Sequence, residues 1–486
     1  MNSERQQVPF AGCVRRFLAD NSAVRAMWLL AGFSALAACA AAYGAERLDL
    51  ETAINRALAN NRELAQRALA ARGAERGAAA ARAEFAWRLR PEISAERADD
   101  ADRLRYGFSA GRKWEPGFEI EAGPRIEHTS GSGDTGPSAI WRVDVRQPLF
   151  RNFGALIQRE GVLAAESRFR AARRALEQQK ADLALRVVEQ FETLVKLERQ
   201  IAADEAALQR LETLFRLTQA RERQGRATRV DTLRVDLRRG EALARLETDR
   251  ERMSSLRRDF AELLGSPPDT LYELIPSPLI ELNLPPTEEA VALALSNRLD
   301  YAQALQDYAD AERSERIARR GLLPEASLIA RAETEDEFEG RSDVRWSIGV
   351  SGGSDIVGVR ERAQIEQAVL ARESAREAVR IREWAIAREV QQSASAYRRA
   401  RLDVDIAERN HALAEQRARL ARRLFDLGRV ENRAVTDAED ELAAAESRRL
   451  TARAEAVLAA YRYLHALGTL LEAPAELRPR RDEVPP

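Results

Sequence analysis

Residues 50–66, LETAINRALANNRELAQ, align without a gap on residues 287–303, TEEAVALALSNRLDYAQ. The pair shares Glu51 with Glu288, Ala53 with Ala290, Ala57 with Ala294, Leu58 with Leu295, Asn60 with Asn297, and Ala65-Gln66 with Ala302-Gln303. An internal repeat of this kind means one structural plan used twice. From each copy the chain proceeds in the same order: a helical stretch, a Pro-Glu-x-Ser step (Pro91 to Ser94, Pro324 to Ser327), an alternating segment, a long helix, a Gly turn and a return helix. The second long helix begins with VLARES at 369–374, an echo of VLAAES at 162–167.

The long helices carry heptads. Val162, Phe169, Leu176 and Leu183 recur every seven residues, after which the seam shifts by four to Val187, Leu194, Ile201, Leu208 and Phe215. The second copy has Val390, Tyr397 and Val404, then Ile406, Leu413, Leu420 and Leu427. Such seams predict coiled-coil packing against neighbouring helices. Length discriminates further. Gly154 to Gly225 and Gly358 to Gly428 are separated by nearly the same number of residues, each roughly 105 Å of helix at 1.5 Å per residue. The other passes, near 50–88, 230–264, 287–322 and 435–470, are each on the order of 50–60 Å, so two stacked end to end match one long helix. Gly265-Ser266-Pro267-Pro268 through Pro285-Pro286 is a breaker-rich loop that divides the middle pair.

Composition agrees with rods rather than one thick core. The 486 residues are 32% charged and 6% aromatic, a balance of long solvated helices. Lys and Arg number 77 against 78 Asp and Glu, so no basic surface points to a nucleic-acid partner. Cys13 and Cys39 both precede residue 45, which leaves the rest of the chain without a disulfide or thiolate metal site. His128, His411 and His465 are scattered, and no two share the i, i+3 or i+4 spacing of helical metal sites. No nucleophile–base set is visible and no cofactor or metal is implied, so an enzyme is not expected.

Residues 26–45, AMWLLAGFSALAACAAAYGA, carry no charge, follow Arg15, Arg16 and Arg25, and end in small residues before Glu46. They read as a secretory signal, with cleavage near Gly44 or Ala45, rather than a transmembrane anchor. Leu36-Ala37-Ala38-Cys39 also matches a lipoprotein box. The first helix, however, starts roughly 60 Å below the first strand, and ten extended residues from Cys39 span only about 35 Å, which disfavours lipidation of Cys39.

Between helices the period changes from seven to two, the mark of strands. Trp141, Val143 and Val145 alternate with Arg142, Asp144 and Arg146; Phe118, Ile120 and Ala122 alternate with Glu119 and Glu121; Trp346, Ile348 and Val350 repeat the pattern in the second copy. An ordinary half-buried sheet has this alternation, and so does a membrane barrel with a wet lumen. The secretion signal, the lack of a mature helical span and the position of the strands at one end of a long helical bundle favour the barrel, with Trp141, Val143, Val145, Trp346, Ile348 and Val350 facing lipid. Two hairpins supply about four strands, fewer than the roughly eight of the smallest closed membrane barrels, so the barrel must be shared between chains. SGSGDTGPS (130–138) and ETEDEFEG (333–340) read as exposed loops.

ALANNREL at 57–64, Gln147-Pro148-Leu149-Phe150 before the first long helix, Gly225-x-x-Thr228-x-x-Asp231 at the first tip and RYLHALGTLLE at 462–472, taken in order, resemble the TolC-type outer-membrane factor family over nearly the whole mature chain. The resemblance implies a mainly α fold with a small membrane β part: a long coiled-coil α-helical barrel, with four strands per protomer joining a twelve-stranded barrel in a homotrimer. It implies residues 1–45 as signal, 46–285 as the first structural repeat with strands about 91–148 and a tip about 225–231, 286–475 as the second with strands about 324–353 and a tip about 428–437, and 476–486 as a tail. The implied partners are outer-membrane lipid, a periplasmic adaptor (membrane fusion) protein and an inner-membrane pump of the resistance-nodulation (RND) or ABC type, for efflux or type I secretion. The pump would supply energy, since no nucleotide-binding loop is present here.

The same resemblance implies a periplasmic gate where the hairpin tips converge. Asp437 and Asp440 in VTDAED (435–440) match its acidic ring, and their i, i+3 spacing puts both on one helix face. Three copies would set six carboxylates around one constriction, a field that attracts cations. A latch between tips is implied too: Asp231 pairing with Arg429 or Arg433, while Phe425 stands where the pattern often has tyrosine. Gly225, Thr228 and Gly428 are implied as tip turns and adaptor contacts. The second turn, Gly428 to Asp437, reads as three residues longer than Gly225 to Asp231. The competing reading is a periplasmic coiled-coil adaptor or scaffold without a membrane barrel, and the strand hairpins are what separate the two.

Overall fold

The computed structural model describes residues 46–97, 101–131, 136–337, 341–353 and 357–479; the leader at 26–45, Cys39 and the end of the tail lie outside them. In chain order the elements are β1 (Glu46–Leu48), α1 (Leu50–Asn60), α2 (Arg62–Arg82), β2 (Arg88–Arg97), β3 (Ala101–Lys113), β4 (Glu119–Gly131), β5 (Gly136–Pro148), α3 (Ala155–Gln158) and α4 (Glu160–Arg223). There follow α5 (Arg229–Leu263), β6 (Tyr272–Leu274), α6 (Thr287–Asn297), α7 (Leu299–Arg320), β7 (Glu325–Glu337), β8 (Arg341–Gly353), α8 (Val359–Asp426) and α9 (Asn432–Ala466). The long helices α4 and α8 have 64 and 68 residues and the return helices α5 and α9 have 35 each. At 1.5 Å per residue the long helices are each about 100 Å.

Each expected N-terminal helix is two helices. The chain breaks at Asn61 between α1 and α2 and at Arg298 between α6 and α7, with extended backbone (ψ 127 and 124) at both. These are the residues that the gapless alignment superposes. Each break receives the C-terminus of a return helix. Asn61 Nδ2 donates to the Leu263 carbonyl at 3.0 Å and Asn61 Oδ1 accepts from the Leu64 amide. Arg298 Nη1 donates to the Ala466 carbonyl at 3.3 Å. Gly265 and Gly468, both with positive φ, follow those carbonyls, and a Cβ on Gly265 would lie 2.3 Å from the Asn60 carbonyl oxygen. Carbonyls orphaned where a helix stops mid-rod are thereby satisfied by the helix alongside.

The core gathers at this level. Leu50, Ala53 and Ala57 of α1 pack with Val187, Phe191 and Leu194 near the middle of α4 and with Met253 and Phe260 of α5. In the second half, Ala290 and Ala294 of α6 pack with Ile386 and Val390 of α8 and with Tyr463 of α9. β1 pairs parallel with β6 beside the first cluster, so residue 46 sits at mid-rod, far along α2 from the sheet.

At the other end of the rods lies one antiparallel sheet in the order β2-β3-β4-β5-β7-β8. Among the described residues it has six strands, four from the first half and two from the second, which corrects the expected four per protomer. The additional hairpin is β2 and β3. Its alternation, Leu89, Ile93 and then Leu104, Tyr106, Phe108 against Arg90, Glu92, Arg103 and Arg105, has the same period as the strands identified from sequence. The strands also continue into both stretches read as loops: β4 reaches Gly131, β5 starts at Gly136 and β7 reaches Glu337. A ladder satisfies every backbone donor and acceptor it includes, and that outweighs the local turn chemistry of Gly, Ser and Glu. The turn at 114–118 returns to the helical end, where the Gly154 amide donates to the Pro116 carbonyl and Trp114 meets Trp87 edge-on at 6.3 Å.

The second break carries a buried charge cluster: Arg298 pairs with Asp300 at 2.7 Å and Glu389 at 2.6 Å, and both Arg298 and Asp300 are largely buried. Burial pushes the Asp300 carboxyl up, but the Arg298 hydrogen bonds outweigh it and leave it below the ordinary value. Its contribution to stability is therefore present above the unfolded carboxylate pKa of about 3.9 and is lost as pH falls through the lower folded value. Arg298→Ala, which leaves the buried Asp300 carboxylate with only the more distant Arg382 at 3.6 Å, is expected to cost about 3 kcal/mol, against about 1 kcal/mol for Asn61→Ala. Thermal unfolding followed by circular dichroism at pH 7 checks the order; equal losses would remove the charge cluster from this role.

Candidate gate and two-faced sheet

The far ends of the two hairpins share one turn design. α4 ends at Arg223 and α8 at Asp426, and Gly225 and Gly428 both take φ 71. The Arg226 amide donates to the Arg221 carbonyl and the Arg429 amide to the Leu424 carbonyl, both at 2.8 Å, the six-to-one bond of a Schellman turn. The following helices are capped three residues after each glycine, at Thr228 and Glu431. The two turns therefore have equal length, which corrects the longer second turn expected from sequence: the counterpart of Asp231 is Ala434, and Asp437 lies a turn further along α9.

The tips differ in how that cap is made. Thr228 and Asp231 form a reciprocal capping box: the Asp231 amide donates to Thr228 Oγ1 at 3.3 Å, and Asp231 Oδ2 accepts from the Thr228 amide at 3.0 Å and the Thr228 hydroxyl at 2.6 Å. Those bonds hold the Asp231 carboxyl below its ordinary value. Glu431 makes no side-chain cap. The expected latch is not made within the chain: Asp231 is engaged by Thr228 and by Arg234 at 3.5 Å, and Arg433 turns to Asp437 at 3.7 Å. Among the described residues no ion pair joins Asp231 to Arg429 or Arg433. What ties the hairpins together instead is Phe425, buried with Leu214, Val235 and Val435. Arg221 lies 3.9 Å over its ring and donates to its carbonyl at 3.1 Å, a cation–π contact in place of a hydroxyl bond.

Asp437 and Asp440 both project from one exposed face of α9. Asp440 pairs with Arg238 of α5 at 3.2 Å. Partial burial raises the Asp440 carboxyl; Arg238 lowers it, and Asp437 and Glu241 raise it further, with a net upward shift. Between the two aspartates Glu439 points the other way, is buried, and joins Arg210 of α4 at 2.9 Å and Arg422 of α8. Sequence reasoning passed over Glu439. The signal lay in its place two residues after Asp437, which is about 200° round the helix and therefore on the packed face.

At the opposite end, the register sorts the sheet into two faces. One hydrogen-bonded row runs Leu89, Ala110, Ala122, Val143, Ala332, Trp346 across all six strands. The next row toward the helices continues Val145, Ala330 and Ile348, and Leu328 stands opposite Val350. Trp141, Val143, Trp346, Ile348 and Val350 are exposed, Trp346 at 73%, and Val145 is half-buried. The other face is an ion-pair lattice: Arg88 with Glu119 at 3.0 Å, Arg125 with Glu92 at 2.8 Å, Arg105 with Glu127 at 3.2 Å, Arg142 with Glu333 at 2.9 Å and Arg331 with Asp144 at 2.6 Å.

This arrangement of long helices and sheet superposes on solved outer-membrane channels. The chain has the TolC-type outer-membrane channel fold. It superposes on the outer-membrane channel OprN with a TM-score of 0.68 at 18% identity, covering 86% of this chain and 89% of that one. On VceC of Vibrio cholerae the values are 0.67 and 18%, covering 86% and 96%; on the CmeC outer membrane channel of Campylobacter jejuni they are 0.69 and 13%, covering 88% and 87%. Neither a protein-family profile nor a curated protein sequence matches the chain. Among the described residues no helix is long and apolar enough to cross a membrane.

The capping box gives a test of tip asymmetry. Thr228→Ala or Asp231→Ala is expected to destabilise the first turn of α5 by about 1 kcal/mol, or roughly fivefold faster amide exchange there, with the start of α9 unchanged. Hydrogen exchange with peptide-level mass analysis reads both tips at once, and equal acceleration at the two would contradict it.

Proposed function

We propose that the protein is the outer-membrane channel of a tripartite efflux or type I secretion system, a homotrimer that passively conducts substrates delivered by an inner-membrane pump through a periplasmic adaptor. The observation that carries this reading is the junction of two rods, each about 100 Å long, with an open sheet whose one face is apolar and whose other face is a lattice of ion pairs. A lipid-spanning β-structure needs an apolar outside, a polar inside and no free edge, and the two open edges of this sheet call for sister copies. The sheet then lies in the outer membrane, with Trp141, Val143, Val145, Trp346, Ile348 and Val350 toward lipid and Trp87, Trp114 and Phe118 at the periplasmic boundary, where aromatic side chains favour the interface. The rods extend into the periplasm, and residues 46–285 and 286–475 form the two repeats around one tunnel.

In this reading the gate is at the tips. Asp437 and Asp440 from three copies line one constriction that attracts cations and can bind divalent ones. Gly225, Thr228 and Gly428 lie on the surface that an adaptor meets. Any contact of Asp231, Arg429 or Arg433 that latches the closed state is then made between copies, since within a chain these residues do not meet. The leader is removed by cleavage near Gly44 or Ala45, and Cys39 leaves with it.

Asp437→Ala combined with Asp440→Ala is expected to raise single-channel conductance in planar bilayers and to relieve divalent-cation block. In the unmodified channel the block weakens on acidification, starting above the ordinary carboxylate value of about 3.9 because Asp440 is raised. Unchanged conductance and block would take both residues out of the gate. Recovery of the protein only in the soluble periplasm on membrane fractionation would overturn the channel reading and favour a scaffold.

A further inference from the structure

The sheet ends on two unpaired strands, β2 and β8, and the additional hairpin β2–β3 has moved one of those edges. We propose that β2 of one copy pairs antiparallel with β8 of the next, so that three copies close an eighteen-stranded barrel. This rests on the trimeric channel reading and specifies how its membrane part is built.

Direction permits the pairing. Every neighbouring pair in the sheet is antiparallel, so with six strands the first and last run in opposite senses, and a second copy continues the alternation without a parallel step. Register follows from the slope of the rows. From Arg88, the first residue of β2, the hydrogen-bonded row passes Gly111, Glu121, Asp144 and Arg331 to Ser347. The helix-side end of β8 is Gly353, six residues beyond Ser347. Pairing the helix-side ends of the two strands, Arg88 at the start of β2 and Gly353 at the end of β8, sets Arg88 of the next copy opposite Gly353. A climb of six residues at about 3.3 Å over six strand spacings of about 4.8 Å is a tilt of roughly 35°, the lower end of the range for membrane barrels.

Chemistry agrees with that register. It places Ile93 opposite Ile348 and Pro91 opposite Val350 on the apolar face, which continues the exposed belt; Ile93 is 81% and Ile348 65% exposed in the single chain. On the other face it places Ser94 opposite Ser347 and Glu96 opposite Arg345, as the ion-pair lattice does elsewhere in the sheet. An even shift keeps like faces together, whereas an odd one would set Ile93 among charges. Pro91 has no amide to donate, so this junction forgoes one ladder bond at most, and the remaining β2 positions carry the pairing. Barrel diameter grows roughly linearly with strand number, so this pore is about one and a half times the width of a twelve-stranded one.

The test is cysteine cross-linking in outer-membrane fractions of full-length protein. Ser94→Cys with Ser347→Cys, isosteric and five strands apart within one chain, is expected to give a covalent trimer under mild oxidation, with each single variant as control for Cys13 and Cys39. Linkage instead between Arg125→Cys on β4 and Ser347→Cys, in a stable membrane trimer, would overturn the closure while leaving the channel reading intact. A monomer, or a protein absent from the membrane, would overturn both. Electron micrographs of the unmodified trimer give a reading independent of any variant: a barrel wall about 1.5 times as wide as a twelve-stranded one is expected, and twelve-strand width would sink the proposal.

Discussion

A helix that stops halfway along a rod exposes its last carbonyls at a place where water is largely excluded, and this chain does so twice. α5 ends at Leu263 and α9 at Ala466, each followed by a left-handed glycine. Both ends are met by the side chain at the break of a neighbouring helix, Asn61 in one half and Arg298 in the other. These contacts fix where short helices abut along a long one, and so they fix the match between two short passes and one continuous rod. They also locate the densest packing, around Phe191 and Phe260 in the first half and Ile386 and Tyr463 in the second.

The two halves satisfy the same need with different chemistry. Asn61 is a neutral cap, whereas Arg298 adds a buried positive charge that Asp300 and Glu389 must neutralise. The tips diverge in a similar way. The first carries the capping box of Thr228 and Asp231, the second has Glu431 and Ala434 in those places and depends on packing of Phe425 beneath Arg221. One tip with a side-chain cap and one without give the two hairpins unequal local stability where they turn.

Much of this architecture was legible in the chain. The glycines at 225 and 428 announced the tips because a left-handed residue is needed where a helix reverses, and the heptads announced the rods. The alternation about Trp141 and Trp346 identified β5 and β8 and their apolar face. The hairpin β2–β3 was passed over although Leu89 and Ile93, then Leu104, Tyr106 and Phe108, alternate just as clearly, because Pro91 reads as a step between elements and only its position on an edge strand makes it compatible with a ladder. The acidic run at 333–337 read as a loop by composition, and became strand because β5 and β8 supply partners on both sides of it.

Sequence alone determined the repeat, the long helices with their tips and the alternation about Trp141 and Trp346, since these depend on interactions between residues near one another in the chain. It also determined that Asp437 and Asp440 share a face. Only the tertiary structure decided what each side chain meets: that Asp231 serves its own helix cap rather than Arg433, that Glu439 clamps three helices, that Asn61 and Arg298 receive the ends of distant helices, and that the sheet carries six strands with β2 and β8 at its margins. Those outcomes depend on which backbone groups and charges converge from positions up to hundreds of residues apart, and no local pattern encodes that convergence.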